Sequence, residues 1–271
     1  MHFFRNQIFL VCALLLALST QGYTQYQHYD FSAKLDIPLL SAGAAGTVTS
    51  LILRDNNKPL GLEQLNELDV GKLMDLDMQA TGNYSLSSQK ASDVLLTASY
   101  ALPLSTLLIP EARKDLGIIS IMLAESILLT ETLTGITKNL VNRPRPYAFN
   151  TDLADDIRID DNNNLSFFSG HTSYTAMFSF FTASVLSNYI ENQTTRHFVW
   201  AGAILLPAAT GFYRYDGGKH FITDVVAGYA VGAAIGYLIP RLHEVEKEKT
   251  SPNSFHLDRK ASQPFRLVFV F

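Results

Sequence analysis

The sequence predicts an all-α protein, an antiparallel helical bundle with a six-helix core. Three observations carry that expectation. Only 17% of the 271 residues are charged, against about 25% in an ordinary soluble domain. The uncharged residues gather in six blocks of about 16 to 22 residues, lengths that suit helices better than strands. Consecutive blocks joined by turns run up and down, which brings alternate block ends to one face.

Taken in order, residues 1–22 form a secretory signal pattern. Arg5 supplies the basic start, Ile8–Leu18 the apolar stretch, and Ser19 or Gly22 the small residues at which cleavage occurs. Cys12, the sole cysteine, lies inside this leader. The mature chain then has no thiol for a disulfide, a thiolate metal site or a cysteine nucleophile. Such an exported chain suits a bacterial envelope, membrane-associated or periplasmic. An N-terminal region follows over residues 23–93, with the first block at Ile37–Leu53. Its connection to the second block places Leu62, Leu65, Leu68 and Leu73 at helical spacing, predicting an amphipathic cover on one end of the bundle.

The remaining blocks, Val94–Pro110, Leu116–Thr137, Thr172–Ile190, Phe198–Tyr213 and Val225–Pro240, make up a core over residues 94–243. The acidic stretch TDLADDIRIDDNNNLS, residues 151–166, lacks the ligand alternation and glycine of a calcium loop and reads as a solvated connection. A polar tail, residues 244–271, closes on FRLVFVF with strand-like alternation. The last block carries Gly228, Gly232 and Gly236 at four-residue spacing, a stripe that lets a neighbouring helix approach closely.

Spanning a bilayer takes about 20 apolar residues, and several blocks are at or under that length. The third carries Glu125 and Glu131, each costing at least about 2.5 kcal/mol at mid-membrane. These features predict a bundle touching the membrane or partly embedded in it. The net charge of −4 argues against a nucleic-acid partner, since phosphate-backbone binding needs a basic face.

Polar residues concentrate at three block ends. Lys138, Arg143 and Arg145 close the third block, Phe168–His171 opens the fourth, and Arg214, His220 and Asp224 lie between the fifth and sixth. In an up-and-down bundle these ends meet on one face. Each has a structural reading of its own: cations complement helix C-termini and Ser169 suits an N-cap. Together they suit a tetrahedral oxyanion. Lys138, Arg145 and Arg214 supply cations, and the two guanidiniums fork onto phosphate oxygens. Ser169 and Gly170 lead into a helix whose free N–H groups face an anion. His171 and His220 divide attack and proton transfer, and Asp224, one turn after His220, holds one of its ring nitrogens. No acidic ligand set accompanies the motifs, so neither a metal nor another cofactor is expected there.

These motifs resemble the superfamily of type 2 phosphatidic acid phosphatases and vanadium-dependent haloperoxidases. Its pattern is Lys-x6-Arg-Pro, then Pro-Ser-Gly-His, then Ser-Arg-x5-His-x3-Asp. Lys138 to Arg145-Pro146, Ser169-Gly170-His171, and Arg214 through His220 to Asp224 match it over roughly residues 90–240. Phe168 and Tyr213 stand where the family has proline and serine. The resemblance implies that His220 is the nucleophile forming a phosphohistidine, that Asp224 orients it, and that His171 protonates the leaving alkoxide and then activates water. Lys138, Arg145, Arg214, Ser169 and Gly170 would bind the phosphoryl oxygens. Arg143 misses the six-residue gap and is assigned a solvated or headgroup-facing place.

The expected function is a metal-independent phosphomonoesterase or pyrophosphatase of the envelope. Its substrate would be a lipid such as phosphatidic acid, phosphatidylglycerophosphate, an isoprenyl pyrophosphate or a lipid A phosphate. A soluble periplasmic acid phosphatase acting on small phosphomonoesters is the second reading, ahead of a vanadate-dependent haloperoxidase or an inactive envelope scaffold.

Overall fold

The computed structural model describes residues 28–245. The leader, the FRLVFVF end and all but the first residues of the polar tail lie outside the described residues. Six long helices make up the fold: α1 (Ala33–Asp55), α2 (Leu86–Ser99), α3 (Leu116–Val141), α4 (Gly170–Ser187), α5 (Gln193–Asp216) and α6 (Ile222–Leu242). They form an antiparallel all-α bundle, and no strand occurs among the described residues.

Three of these helices, α2, α4 and α5, start where a short polar side chain satisfies a free amide. Ser85 accepts from Ser88 N at 3.3 Å, Ser169 from Thr172 N at 3.4 Å, and Asn192 from Thr195 N at 2.9 Å. The second apolar block is divided. Its first part completes α2, and the rest is a 3₁₀ helix at Leu102–Leu108. Pro103 has no N–H to continue the α-helical ladder. At the other end, α2 begins at Leu86, well upstream of the apolar block, so the expected boundary between residues 93 and 94 falls inside a helix.

α4 is the axis of the bundle. It packs against α2, α3, α5 and α6, and residues such as Met177, Phe178 and Phe181 are fully buried. These three join Ile119, Met122, Leu123 and Ile239 in the main core. The glycine stripe of α6 faces α4: a Cβ on Gly228, Gly232 or Gly236 would strike the backbone oxygens of Ser169, Ser173 or Met177. α1 is peripheral and packs on α3, where Thr132 Oγ1 donates to Gly43 O at 2.9 Å. Its outer face leaves Ile37, Val48 and Ile52 exposed. Among the described residues, four stretches are long and apolar enough to cross a membrane: α1, residues 86–108, 116–149 and α6.

The connection after α1 covers the end of the bundle, but not as a continuous amphipathic helix. It breaks into single turns at Leu62–Asn66, Val70–Lys72, Asp75–Met78 and Gln79–Gly82. Asp69 starts one of these turns by accepting from Gly71 N at 2.8 Å. Leu65 is buried with Tyr147 and Ala148, while Leu62 stays exposed. The 151–166 stretch also departs from a solvated loop. Asp155 and Asp156 are exposed, but Arg158, Asn163, Asn164, Leu165 and Ser166 are buried. Asn163 explains this: its side-chain amide exchanges hydrogen bonds with both Leu60 N and Leu60 O, each 2.9 Å, stitching the loop beneath the cover.

Candidate active site

The three expected clusters converge at one end of the bundle. α3 stops just after Lys138 because Asn142 takes a left-handed conformation, φ 49°, and Pro144 disfavours helix at the residue before it. The chain then runs beneath the site, with Arg145 N donating to Asn163 O at 2.7 Å and Ser166 N to Arg143 O at 3.0 Å. Lys138 Nζ reaches across to Leu165 O at 2.7 Å and Ser166 O at 3.2 Å. Arg145 Nε donates to Asn162 O at 2.8 Å and its Nη1 to Lys219 O at 3.2 Å. Gly170 lies against α3: a Cβ there would sit 3.8 Å from Lys138 Cε.

His220 is buried, in the turn between α5 and α6. Its amide donates to Arg214 O at 3.2 Å. Burial, reinforced by Lys138, Arg145 and Arg214, holds its pKa well below the usual histidine value, so the imidazole is neutral near pH 7. Arg214 is buried too. Its Nη1 is 3.4 Å from Ser92 Oγ and 3.8 Å from Asp93 Oδ1, and its Nε has no hydrogen-bond partner. Burial and then Arg145 push this guanidinium down to about 9, and the same two causes push Lys219 down to about 8. This is a cation cluster with little anionic complement, a setting an oxyanion would stabilise.

Asp224 lies in the first turn of α6 and reaches back to accept from Phe221 N at 2.9 Å. It also accepts from Ser166 Oγ and from Arg143 Nη1. His220 Nδ1 is 3.5 Å from Asp224 Oδ2, facing it without a hydrogen bond. Ser169 is the N-cap of α4, as its structural reading expects, and its own amide donates to Asp224 O at 3.0 Å.

Arg143 is not solvated. It is partly buried, stacks 4.1 Å from the centre of the Phe221 ring, and bridges two fully buried carboxylates, Asp224 and Asp77. The distance to Asp77 Oδ2 is 2.8 Å, and the same oxygen accepts from Thr223 Oγ1 at 2.6 Å. The reason is electrostatic: two buried carboxylates need a cation, and the chain entering Pro144 aims Arg143 at them.

Three contributors are absent from the motifs. Asp77 and Ser166 hold the Arg143–Asp224 pair, and Asp93 binds His171 Nε2 at 2.7 Å. Asp93 had a legible signal, a lone carboxylate one residue before an apolar block, like Asp224 before its own. Asp77 and Ser166 lie in polar stretches with no such mark.

Residues 119–248 match the PAP2 superfamily. This segment of the chain is of the PAP2 superfamily. Among solved structures, it is similar to the first transmembrane PAP2-type phosphatidylglycerolphosphate phosphatase from Bacillus subtilis, at 19% identity and a TM-score of 0.42, covering 87% of this chain and 93% of that one. No curated protein matches it. The PAP2 segment contains Lys138, Arg145, Ser169, Gly170, His171, Arg214, His220 and Asp224, whereas Asp77 and Asp93 come from the chain before it.

Proposed function

We propose that the protein is a phosphatase that removes phosphate from a lipid phosphomonoester or pyrophosphate through a phosphohistidine at His220. The observation that carries this reading is the neutral, buried imidazole of His220 set among Lys138, Arg145 and Arg214. His220 attacks phosphorus as the bond to the leaving oxygen breaks, and His171, which the bound phosphate anion helps to protonate, gives that oxygen its proton. Water then attacks the phosphohistidine and returns a proton to His171, releasing phosphate and free His220. The cations and the N-terminus of α4 stabilise the equatorial oxygens of the five-coordinate phosphorus. Asp93 holds His171 in place, and Asp224, fixed by Arg143 and Ser166, orients His220. The cations supply charge stabilisation without a metal at the reacting phosphate.

Support for a lipid substrate comes from the surface beside His171. Val94, Thr97 and Ala98 form an exposed, mostly apolar strip of α2 next to Asp93. It runs from the partner of His171 along one of the stretches apolar enough to enter a membrane. An acyl chain laid there would leave its phosphate at the histidines. We place the protein at the membrane on the same ground.

Phosphate release from a panel of lipid phosphates and from para-nitrophenyl phosphate tests the reading. Acid quenching during turnover should trap an acid-labile phosphoenzyme, and His220→Ala should form none and show no turnover. Substantial turnover by His220→Ala would exclude His220 as the nucleophile.

A further inference from the structure

At the opposite end of the bundle, Asp36 of α1, Glu125 of α3 and His243 at the end of α6 meet, all three side chains fully buried. Glu125 lies 13 positions before Lys138 on the same helix, roughly 20 Å away at about 1.5 Å per residue, so this cluster does not belong to the phosphate site. His243 Nδ1 faces Ile239 O at 2.8 Å. A carbonyl only accepts, so Nδ1 carries a hydrogen and Nε2 is the atom turned to the carboxylates. Nε2 is 2.9 Å from Asp36 Oδ1 and 3.4 Å from Glu125 Oε2. Ligands bound tetrahedrally at about 2.0–2.1 Å lie roughly 3.3 Å apart, a value these two separations bracket.

Two further observations point to a ligand. Both Glu125 oxygens are buried and accept no hydrogen bond. The other polar atoms are already fixed from outside, since Ser32 N donates to Asp36 Oδ2 at 2.6 Å and leaves Oδ1 aimed inward. A histidine whose second nitrogen donates to a backbone carbonyl, beside a carboxylate oriented by an amide, is the outer-shell arrangement of a metal site. A divalent ion balances the charge of two carboxylates, takes the Nε2 lone pair of a neutral imidazole, and gives Glu125 a partner.

We propose that Asp36, Glu125 and His243 bind a divalent transition-metal ion of the zinc class, which clips the peripheral helix α1 to α3 and to the end of α6. The role is structural, and the proposal is independent of the phosphatase reading. The rival is a triad that shares a proton. The full-length protein, purified in detergent with a tag other than polyhistidine and without chelator, should carry about one equivalent of such a metal by elemental analysis. Chelation should lower the unfolding temperature of the wild type and added Zn²⁺ should restore it. Glu125→Gln should lose both the metal and the Zn²⁺ response while keeping its helicity. If that variant fails to fold, Zn²⁺ titration of chelated wild type by calorimetry decides alone. A wild type that purifies metal-free, binds no Zn²⁺ and shows no thermal shift overturns the proposal and leaves the proton-sharing triad.

Discussion

Two arginines two positions apart have opposite duties. Arg145 lines the proposed phosphate site, held by Asn162 O and Lys219 O, whereas Arg143 neutralises Asp77 and Asp224. Removing one partner of a buried ion pair costs about 3–5 kcal/mol, so Arg143→Ala should lower the unfolding temperature markedly. Arg145→Ala should leave stability close to wild type. It should reduce kcat/KM ten- to hundredfold, the effect of losing a charge-assisted contact of about 1.5–3 kcal/mol. Thermal unfolding and kinetics on both variants check the division, and equal thermal losses would refute it. The histidines set the pH response. Burial and then Arg214 hold His171 at about 4, and His220 is also held low. The unfolded chain therefore binds more protons than the folded one between about pH 6.5 and pH 4. Stability is present above that window and lost as pH falls through it. A bound anion raises both pKa values, so sulfate should flatten the loss. Unfolding temperatures from pH 8 to 4.5, with and without sulfate, measure this.

At the scale of the element, the α4–α6 contact is set by glycine. A Cβ on Gly232 would meet Ser173 O, a backbone atom that moves only if the whole helix does. Gly232→Ala should therefore destabilise the bundle by about 1–3 kcal/mol, as overpacking does. Because α4 carries Ser169 and His171 and α6 carries Asp224, activity should fall with it. Gly202 in α5 has open space around the same position, and Gly202→Ala should be neutral or stabilising by about 0.5–1 kcal/mol. Unfolding temperatures of the two variants side by side give the comparison, and matching shifts would contradict backbone contact as the cause.

For the whole molecule, the two ends have separate functions to test. Vanadate adopts the five-coordinate geometry of the reacting phosphorus and should inhibit far more tightly than phosphate. A vanadate inhibition constant no lower than that of phosphate would overturn the proposed site. Chelation acts at the other end, on the cluster of Asp36, Glu125 and His243. At a temperature where circular dichroism shows the fold intact, excess EDTA should leave phosphate release unchanged. Activity lost there and regained with a divalent ion would place a metal in the chemistry instead.

By itself the sequence determined six apolar helices, the end of the bundle at which Lys138, Ser169, Gly170, His171, Arg214 and His220 gather, and the close approach of the helix bearing Gly228, Gly232 and Gly236. All of these are local or periodic: block length, residue spacing within a motif, and the facing of a helical stripe are written in consecutive residues. Only the tertiary structure decided the partners drawn from distant stretches. Arg143 passes for a surface cation until Asp77, 66 positions earlier, is placed beside it. His171 acquires Asp93 from across 78 positions, and His243 meets Asp36 from across 207. Spacing along the chain carries no mark of such pairs, because the requirement behind them, that a buried charge find its counter-charge, is met in space.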